Sequence, residues 1–360
     1  MTINSTLGPN GYTVSIPAPV SGGGGGGGYV ELPAPIDVDV MGLRSLYQWT
    51  LLTIPSPYSP GHVLHPSVVY FKDGWRGHRY WMAYTPYPNS VPLYENPCIA
   101  VSDDMITWEA KGSQPIIEAP VGSPQPYNSD TDIAYDAAND RLIMVFRQNT
   151  APEYYQRLYM THSSDGVTWA APVLIYTGDL GNTPTSTDIA SPTLNWTGSV
   201  WEIIGVMLRG TGTNNPFGKI TTSGADPYVG WSSSPTVITF TPPAGRDWWH
   251  ATVRRLSGGA YIAIIQDNND TAGATGDLYV AYSADGSSGS WAYKLLDSGS
   301  GKGYSWYRPT FLLRYDGANE AVVDIFGSRL NTTGMFYQRC RIQRPSSYPQ
   351  RTTELAAILA

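Results

Sequence analysis

Four tryptophans recur along the 360 residues at a nearly fixed interval: Trp108, Trp169, Trp231 and Trp291, spaced 61, 62 and 60 apart. Each follows a small polar turn, as in Ser102-Asp103-Asp104, Ser163-Ser164-Asp165-Gly166, Gly230 and Ser283-Ala284-Asp285-Gly286. A second beat runs about forty residues ahead of the first. It reads His65-Pro66-Ser67, Asp132-Ile133-Ala134, Ser191-Pro192-Thr193, His250-Ala251-Thr252 and Arg308-Pro309-Thr310. A period of this length marks one supersecondary unit repeated, each copy burying its apolar face against the next.

Every unit has the same grammar. A short strand follows the second beat, as in Val68-Val69-Tyr70-Phe71. A turn follows, then an apolar strand such as Tyr80-Trp81-Met82-Ala83-Tyr84, Leu142-Ile143-Met144-Val145-Phe146 or Tyr261-Ile262-Ala263-Ile264-Ile265. A longer loop leads to a third strand, the turn with its Trp, and a fourth. Short β-branched and aromatic runs between turn signals read as strands. Four strands per unit, repeated about five times, predict an all-β, five-bladed β-propeller. A β-sandwich of similar strand count fits the sixty-residue beat less well. The fifth unit lacks its outermost strand, while Leu46–Ile54 is an apolar run without a partner of its own. Pairing the two would remove two open sheet edges. The propeller is therefore expected over residues 46–345, followed by a tail, 346–360, in which Thr352–Ala360 reads as a short helix.

Net charge is −7 and only 14% of residues are charged, which argues against a nucleic-acid partner, since that calls for a basic face. No apolar run predicts membrane insertion, and Met1–Thr6 has neither the basic nor the apolar region of a signal peptide. Two cysteines, Cys98 and Cys340, are too few for a disulfide framework and are expected as free thiols. Tyr 25 and Trp 12 against Phe 7 favour rings with a polar handle, which suit sugar binding and core packing alike. Residues 1–45 lie outside the repeat. They carry seven glycines, Gly22–Gly28, between Pro-rich arms. This extended segment reads either as a flexible linker or as an attachment element that assembles several copies, with a trimer expected.

In a propeller the blade starts converge on one mouth of the central channel. That gathers His65, Asp132, Ser191, His250 and Arg308. The ends of the second strands add Arg147, Arg209, Gln266 and Asp267. The third strand of the first unit opens with Glu95 and Asn96, and mouth loops add Asp130, Trp248, Trp249, Trp306 and Tyr307. Such a concave set of convergent polar groups with an aromatic rim is the default binding site. Trp248, Trp249 or Trp306 would stack on a sugar ring, and the polar groups would bond its hydroxyls. The turn Asp residues and their Trp partners read instead as structural. No cofactor or metal motif is present, although the channel leaves room for an ion such as calcium.

At these residues the chain resembles the five-bladed propellers of glycoside hydrolase family 43. The turns ending at Trp108 and Trp169 resemble shortened sialidase Asp-boxes. The runs His65–Phe71, Tyr80–Pro88 and Tyr94–Pro97 resemble a glycosidase-like propeller of phage tail and prophage proteins. The glycine-rich N-terminus is similar to minor tail proteins of actinobacterial phages. The resemblance implies a base at the start of blade 1, a pKa-tuning Asp at blade 2 and a Glu acid at blade 3. Here those slots read His65, Asp132 and Ser191. His65 has an ordinary pKa near neutrality and is available as a base, whereas Ser191 is too weak an acid. Glu95 is the substitute acid, with Asp132 the catalytic partner, and Asp130 and Asp267 stand nearby as replacements. The leading expectation is a virion tail-tip protein. It would bind a cell-surface polysaccharide beside other phage tail proteins, with hydrolysis weak or absent. The alternatives are an active glycosidase or depolymerase trimming that glycan, and a purely structural tail component.

Overall fold

A computed structural model of the chain describes residues 49–343, apart from 60, 123–124, 151–154, 181–184, 210–213, 257–258, 270–275, 300–304, 317–319 and 330–333. The glycine-rich segment, the tail 346–360 and its expected helix lie outside the described residues, as do Leu46 to Gln48.

The architecture is the expected all-β propeller, five antiparallel four-stranded sheets around an axis. Blade 1 contains β2 (Val63–Trp75), β3 (His78–Pro86), β4 (Cys98–Ser102) and β5 (Glu109–Ala110), and blade 2 β6 (Tyr127–Asp136), β7 (Arg141–Thr150), β8 (Tyr155–Ser163) and β9 (Val173–Leu180). Blade 3 contains β10 (Ile189–Trp196), β11 (Trp201–Met207), β12 (Phe217–Thr221) and β13 (Thr236–Ile238), and blade 4 β14 (Arg246–Arg255), β15 (Tyr261–Asn269), β16 (Leu278–Ser283) and β17 (Trp291–Asp297). Blade 5 contains β18 (Trp306–Asp316), β19 (Glu320–Arg329) and β20 (Met335–Gln343), and its outermost strand is β1 (Thr50–Leu52). The N-terminal strand closes the ring, with Thr50 opposite Tyr337 and Leu52 opposite Met335.

The apolar strands pack face to face, so the core is five layers between blades. Leu52, Ile54, Tyr80 and Met82 meet Phe326 and Met335 between blades 1 and 5. Trp75, Trp81 and Ile99 meet Ile133, Met144 and Phe146 between blades 1 and 2. The turn motif is a backbone cap. Asp165 Oδ1 accepts from the N–H groups of Val167 and Thr168, and Ser163 Oγ from that of Gly166. Gly166 has φ 76, and a Cβ there would meet the Trp81 ring at 2.1 Å, so the turn needs glycine for two reasons. Trp108 donates to the Met105 carbonyl at 2.8 Å and lies edge-on to Phe326 of the next blade. Cys98 is a buried free thiol.

One local feature places the site. The ladder between inner and second strand slips at every blade start, between Leu64 and Ser67, Ser129 and Asp132, Ala190 and Thr193, Trp248 and His250, and Tyr307 and Thr310. Four residues in these bulges, His65, Asp130, Ser191 and Arg308, have φ between 39 and 54. A bulge re-aims a side chain, and a non-glycine residue in the left-handed region carries about 1–2 kcal/mol of strain.

Truncating the closing strand tests the ring. Leu52 is 1% exposed in the layer between blades 1 and 5, whereas neighbouring Leu51 is 56% exposed. Leu52→Ala should lower stability by about 2–5 kcal/mol and Leu51→Ala by no more than about 0.5 kcal/mol. Urea unfolding of both variants would show it.

Candidate functional site

The bulges correct the second beat in blade 2. Ser67, Thr193, Thr252 and Thr310 form a column of buried hydroxyl residues just after each blade start. Asp132, not Asp130, occupies that column, because the slip lies between Ser129 and Asp132. The converging residues are therefore His65, Asp130, Ser191, His250 and Arg308.

Asp132 sits deeper and ties blades together. It accepts from Ser67 Oγ at 2.7 Å, from the Leu194 N–H at 2.8 Å, and from both guanidinium nitrogens of Arg254 at 2.8 and 3.0 Å. Both its oxygens are spent on groups from three other blades, so it is structural and not the catalytic partner expected of it. Arg308 is also fully buried. It donates to the carbonyls of Pro66 at 3.1 Å and Pro192 at 3.4 Å and to Thr252 Oγ1, so it plugs the axis rather than binding a ligand. Its guanidinium takes the carbonyl oxygens that a channel calcium ion would need as ligands. Among the described residues no group of three His, Cys, Asp or Glu side chains is arranged to hold a metal ion.

Above this plug lies a compact cluster. His65 Nε2 stands 3.4 Å from Asp130 Oδ1, and His65 Nδ1 lies 2.7 Å from Thr85 Oγ1 and 3.7 Å from Glu95 Oε2. His250 Nδ1 lies 2.6 Å from Ser191 Oγ and 3.5 Å from Asp130 Oδ1. Both partners address the same imidazole nitrogen, so Ser191, His250 and Asp130 are not a nucleophilic relay, in which base and orienting acid take opposite nitrogens. Arg147 Nε stands 2.7 Å from Asp130 Oδ2, and its terminal nitrogen donates to Ser129 Oγ at 3.4 Å. The rim is formed by partly exposed Trp249, Tyr307, Tyr87 and Tyr127. Tyr307 lies across His250 with ring centres 4.5 Å apart, and Trp249 stands edge-on to His250 at 5.8 Å.

Burial sorts the protons. Burial pushes the Glu95 carboxyl well above its usual range, Asp130 adds to this, and Arg147 opposes it. Burial would raise Asp130 too, but Arg147, His65, His250 and Arg308 together hold it below the carboxylate range. Burial pulls His65 down to about 3, against the attraction of Asp130, with Arg308 and Arg147 lowering it further. His250 is lowered in the same way. Burial and the local charges therefore favour the protonated form of Glu95, the ionised form of Asp130 and neutral imidazoles. His65 is not the near-neutral base the sequence offered.

Several other expected site residues belong to the frame. Trp248 is fully buried, stacked on Phe240 and donating to its carbonyl; Trp306 is fully buried against Trp49 and donates to Asp297. Neither can stack on a sugar, which leaves Trp249. Gln266 accepts from the Arg308 N–H and donates to the Asp267 carbonyl, while Asp267 accepts from Tyr279 and the Asp277 N–H. Asn96 accepts from Asn128 and the Ala119 N–H, fixing the loop that presents Glu95. Arg209 Nε donates to the Ser186 carbonyl. Two residues escaped the sequence reading. Arg254 lies beyond the second beat on β14, and Asp188 lies three residues before Ser191. A carboxylate just upstream of an inner strand was the available signal. A cavity of about 260 Å³ opens at the far end of the channel, lined by Val68, Phe71, Ile133, Trp196 and Phe311. It lacks the paired acids of the first mouth.

No family profile matches the chain. A stretch of 121 residues is 33% identical to an A type blood N-acetyl-α-D-galactosamine deacetylase of Flavonifractor plautii; it spans 33% of this chain and 16% of that enzyme. An N-acetylgalactosamine deacetylase from F. plautii, solved with the blood group B trisaccharide, superposes with a TM-score of 0.65. It is 19% identical and is covered over 82% of this chain and 94% of that one. The family 43 endo-arabinanase of Bacillus licheniformis superposes with a TM-score of 0.53 at 13% identity, covering 80% and 97%. The chain thus has the five-bladed propeller fold of family 43 glycoside hydrolases. The proteins it is similar to are carbohydrate-active enzymes, not phage tail proteins. This overturns the expectation of a virion tail-tip binding protein, which rested on the first unit and the glycine-rich segment.

Removing Asp132 should take from the largely buried Arg254 its carboxylate, leaving the Leu194 carbonyl and the Ser67 hydroxyl. Asp132→Ala is expected to lose about 3–5 kcal/mol in chemical denaturation, as one-sided breaking of a buried pair does. A loss below about 1 kcal/mol would mean that the pair does not hold the blades together.

Proposed function

We propose that the protein is a carbohydrate-active hydrolase whose site is the channel mouth around Glu95, Asp130 and Arg147. One observation carries this reading. Glu95, whose surroundings raise its pKa, and Asp130, whose surroundings lower its pKa, flank His65, at 3.7 Å and 3.4 Å, in a buried pocket with an aromatic rim. Two carboxyl groups whose surroundings push their pKa values apart are an acid and a base.

The likeness to the deacetylases favours hydrolysis of an N-acetyl group on a terminal amino sugar. Trp249 or Tyr307 would cover the sugar face. Asp130 takes a proton from water as its oxygen adds to the acetyl carbonyl. Arg147 offers N–H donors to the developing oxyanion. Glu95 then protonates the leaving nitrogen as the C–N bond breaks, giving acetate and a free amine. The same acid and base suit a second reaction, cleavage of a glycosidic bond with inversion, and the likeness to arabinanase folds favours that reading.

The products separate the two. N-acetylgalactosamine-terminated oligosaccharides and arabinan, incubated separately with the protein, are assayed for acetate and for new reducing ends. Acetate release is expected from the first. Reducing ends from either would move the assignment to glycosidic cleavage, and neither product from any substrate would overturn the hydrolase reading. Glu95→Gln should lower kcat/KM about a hundred- to ten-thousandfold, the worth of a general acid. Because Glu95 must keep its proton, activity should fall as pH rises through its raised pKa, and this alkaline limb should disappear with the substitution.

A further inference from the structure

The buried His65 ring is held from several sides. Its backbone has φ 54, and its carbonyl accepts from Thr131 Oγ1 of blade 2 at 2.8 Å. The rings of Tyr307 and His250 lie 5.6 and 6.1 Å from it. Its two nitrogens address different partners. Nε2 stands 3.4 Å from Asp130 Oδ1, while Nδ1 lies 2.7 Å from Thr85 Oγ1 and 3.7 Å from Glu95 Oε2. Thr85 is placed for this by the ladder, since it pairs with Leu64 just before the slip that turns His65 inward. We infer that Thr85 is a positioning residue of this site: its hydroxyl donates to His65 Nδ1 and fixes the ring as the Nε2–H tautomer, aimed at Asp130 and away from Glu95. The inference takes its meaning from the hydrolase reading, but its first test does not depend on that reading.

In a neutral imidazole the hydrogen bond made by one nitrogen decides which of the two carries the proton. Two arrangements compete here. With the proton on Nδ1, the Nε2 lone pair would face a carboxylate that is already paired with Arg147 Nε at 2.7 Å. The Thr85 hydroxyl would accept from Nδ1 and then need an acceptor for its own proton. Thr85 is fully buried, and among the described residues its hydroxyl has no hydrogen-bond partner besides His65. A buried O–H would be left unpaired, which is costly. With the proton on Nε2, both ends are matched: Thr85 donates to Nδ1, and Nε2–H faces Asp130 Oδ1. Asp130 then keeps a donor toward one oxygen while Arg147 stands at the other, so the base stays ionised and held in one orientation. Because Thr85 occupies Nδ1, the Glu95 carboxyl finds no acceptor on the ring, and its proton is left for the substrate.

The tautomer can be read directly by ¹⁵N NMR of the full chain with labelled histidine at pH 7, because the protonated and lone-pair nitrogens of a neutral imidazole resonate far apart. The His65 signals are assigned by their loss in His65→Asn, asparagine being tolerated at positive φ. In wild type His65 should carry its proton on Nε2. In Thr85→Val, which keeps the shape and removes the hydroxyl, the Nδ1–H form should appear, and Thr85→Ser should restore the wild-type pattern. An Nδ1–H or doubly protonated His65 in wild type, or a His65 pattern unchanged in Thr85→Val, overturns the inference. Activity is the second readout. Thr85→Val should lower kcat about two- to tenfold with KM unchanged, the worth of one hydrogen bond, and Thr85→Ser should recover most of it. A change confined to KM would overturn the positioning role. An inactive wild type with the NMR pattern intact would sink the hydrolase reading and leave the tautomer assignment in place.

Discussion

The axis of the ring is the constraint on which the rest depends. Five inner strands begin around a narrow channel, and each bulge there frees backbone polar groups that must find partners. Arg308 answers this with one guanidinium, bonded to the carbonyls of Pro66 and Pro192 and to Thr252. One layer deeper, Asp132 and Arg254 bind Ser67 and Leu194 from two further blades. Apolar layers hold each blade to its neighbours, but these polar groups join blades that do not touch face to face. Their hydrogen bonds cross the axis and give the channel a floor.

That floor sets the chemistry of the mouth. With Arg308 below and Arg147 beside it, Asp130 stays ionised at zero exposure. Burial and the nearby charge on Asp130 push the Glu95 carboxyl the other way, well above its usual range. The imidazoles between them lose theirs, because burial and two arginines outweigh one carboxylate. A histidine that would titrate near neutrality in water becomes a neutral spacer and the carboxyl groups take over the proton chemistry.

The blade count and the core were legible because they follow from repetition. A Trp every sixty residues after a turn that needs Gly or Asp survives any detail of register. The site was less legible, since it depends on single-residue offsets. Bulges move the count by a residue or two, and a shift of one flips a side chain to the other face. Asp130 and Asp132 traded roles for that reason. The column of Ser67, Asp132, Thr193, Thr252 and Thr310, each followed by an apolar residue, holds the correct register. Trp248 and Trp249 are adjacent, yet one packs on Phe240 and the other faces the mouth.

The same register explains why hydrolysis displaces simple binding as the reading of this mouth. A glycan-binding cup needs hydrogen-bonding groups that are satisfied and rings that are exposed, and neutral amides with Trp or Tyr provide these at low cost. This mouth instead buries Asp130 on ion pairs, with neither oxygen in a well-formed hydrogen bond, beside a Glu95 kept neutral. Four of its residues sit on strained backbone. Strain and perturbed acids concentrate where a fold performs chemistry. A structural plug is the competing explanation for such a cluster, and it accounts well for Asp132 and Arg308. It does not account for the Glu95 carboxyl, which among the described residues approaches His65 of its own blade at 3.7 Å and makes no ion pair with another blade.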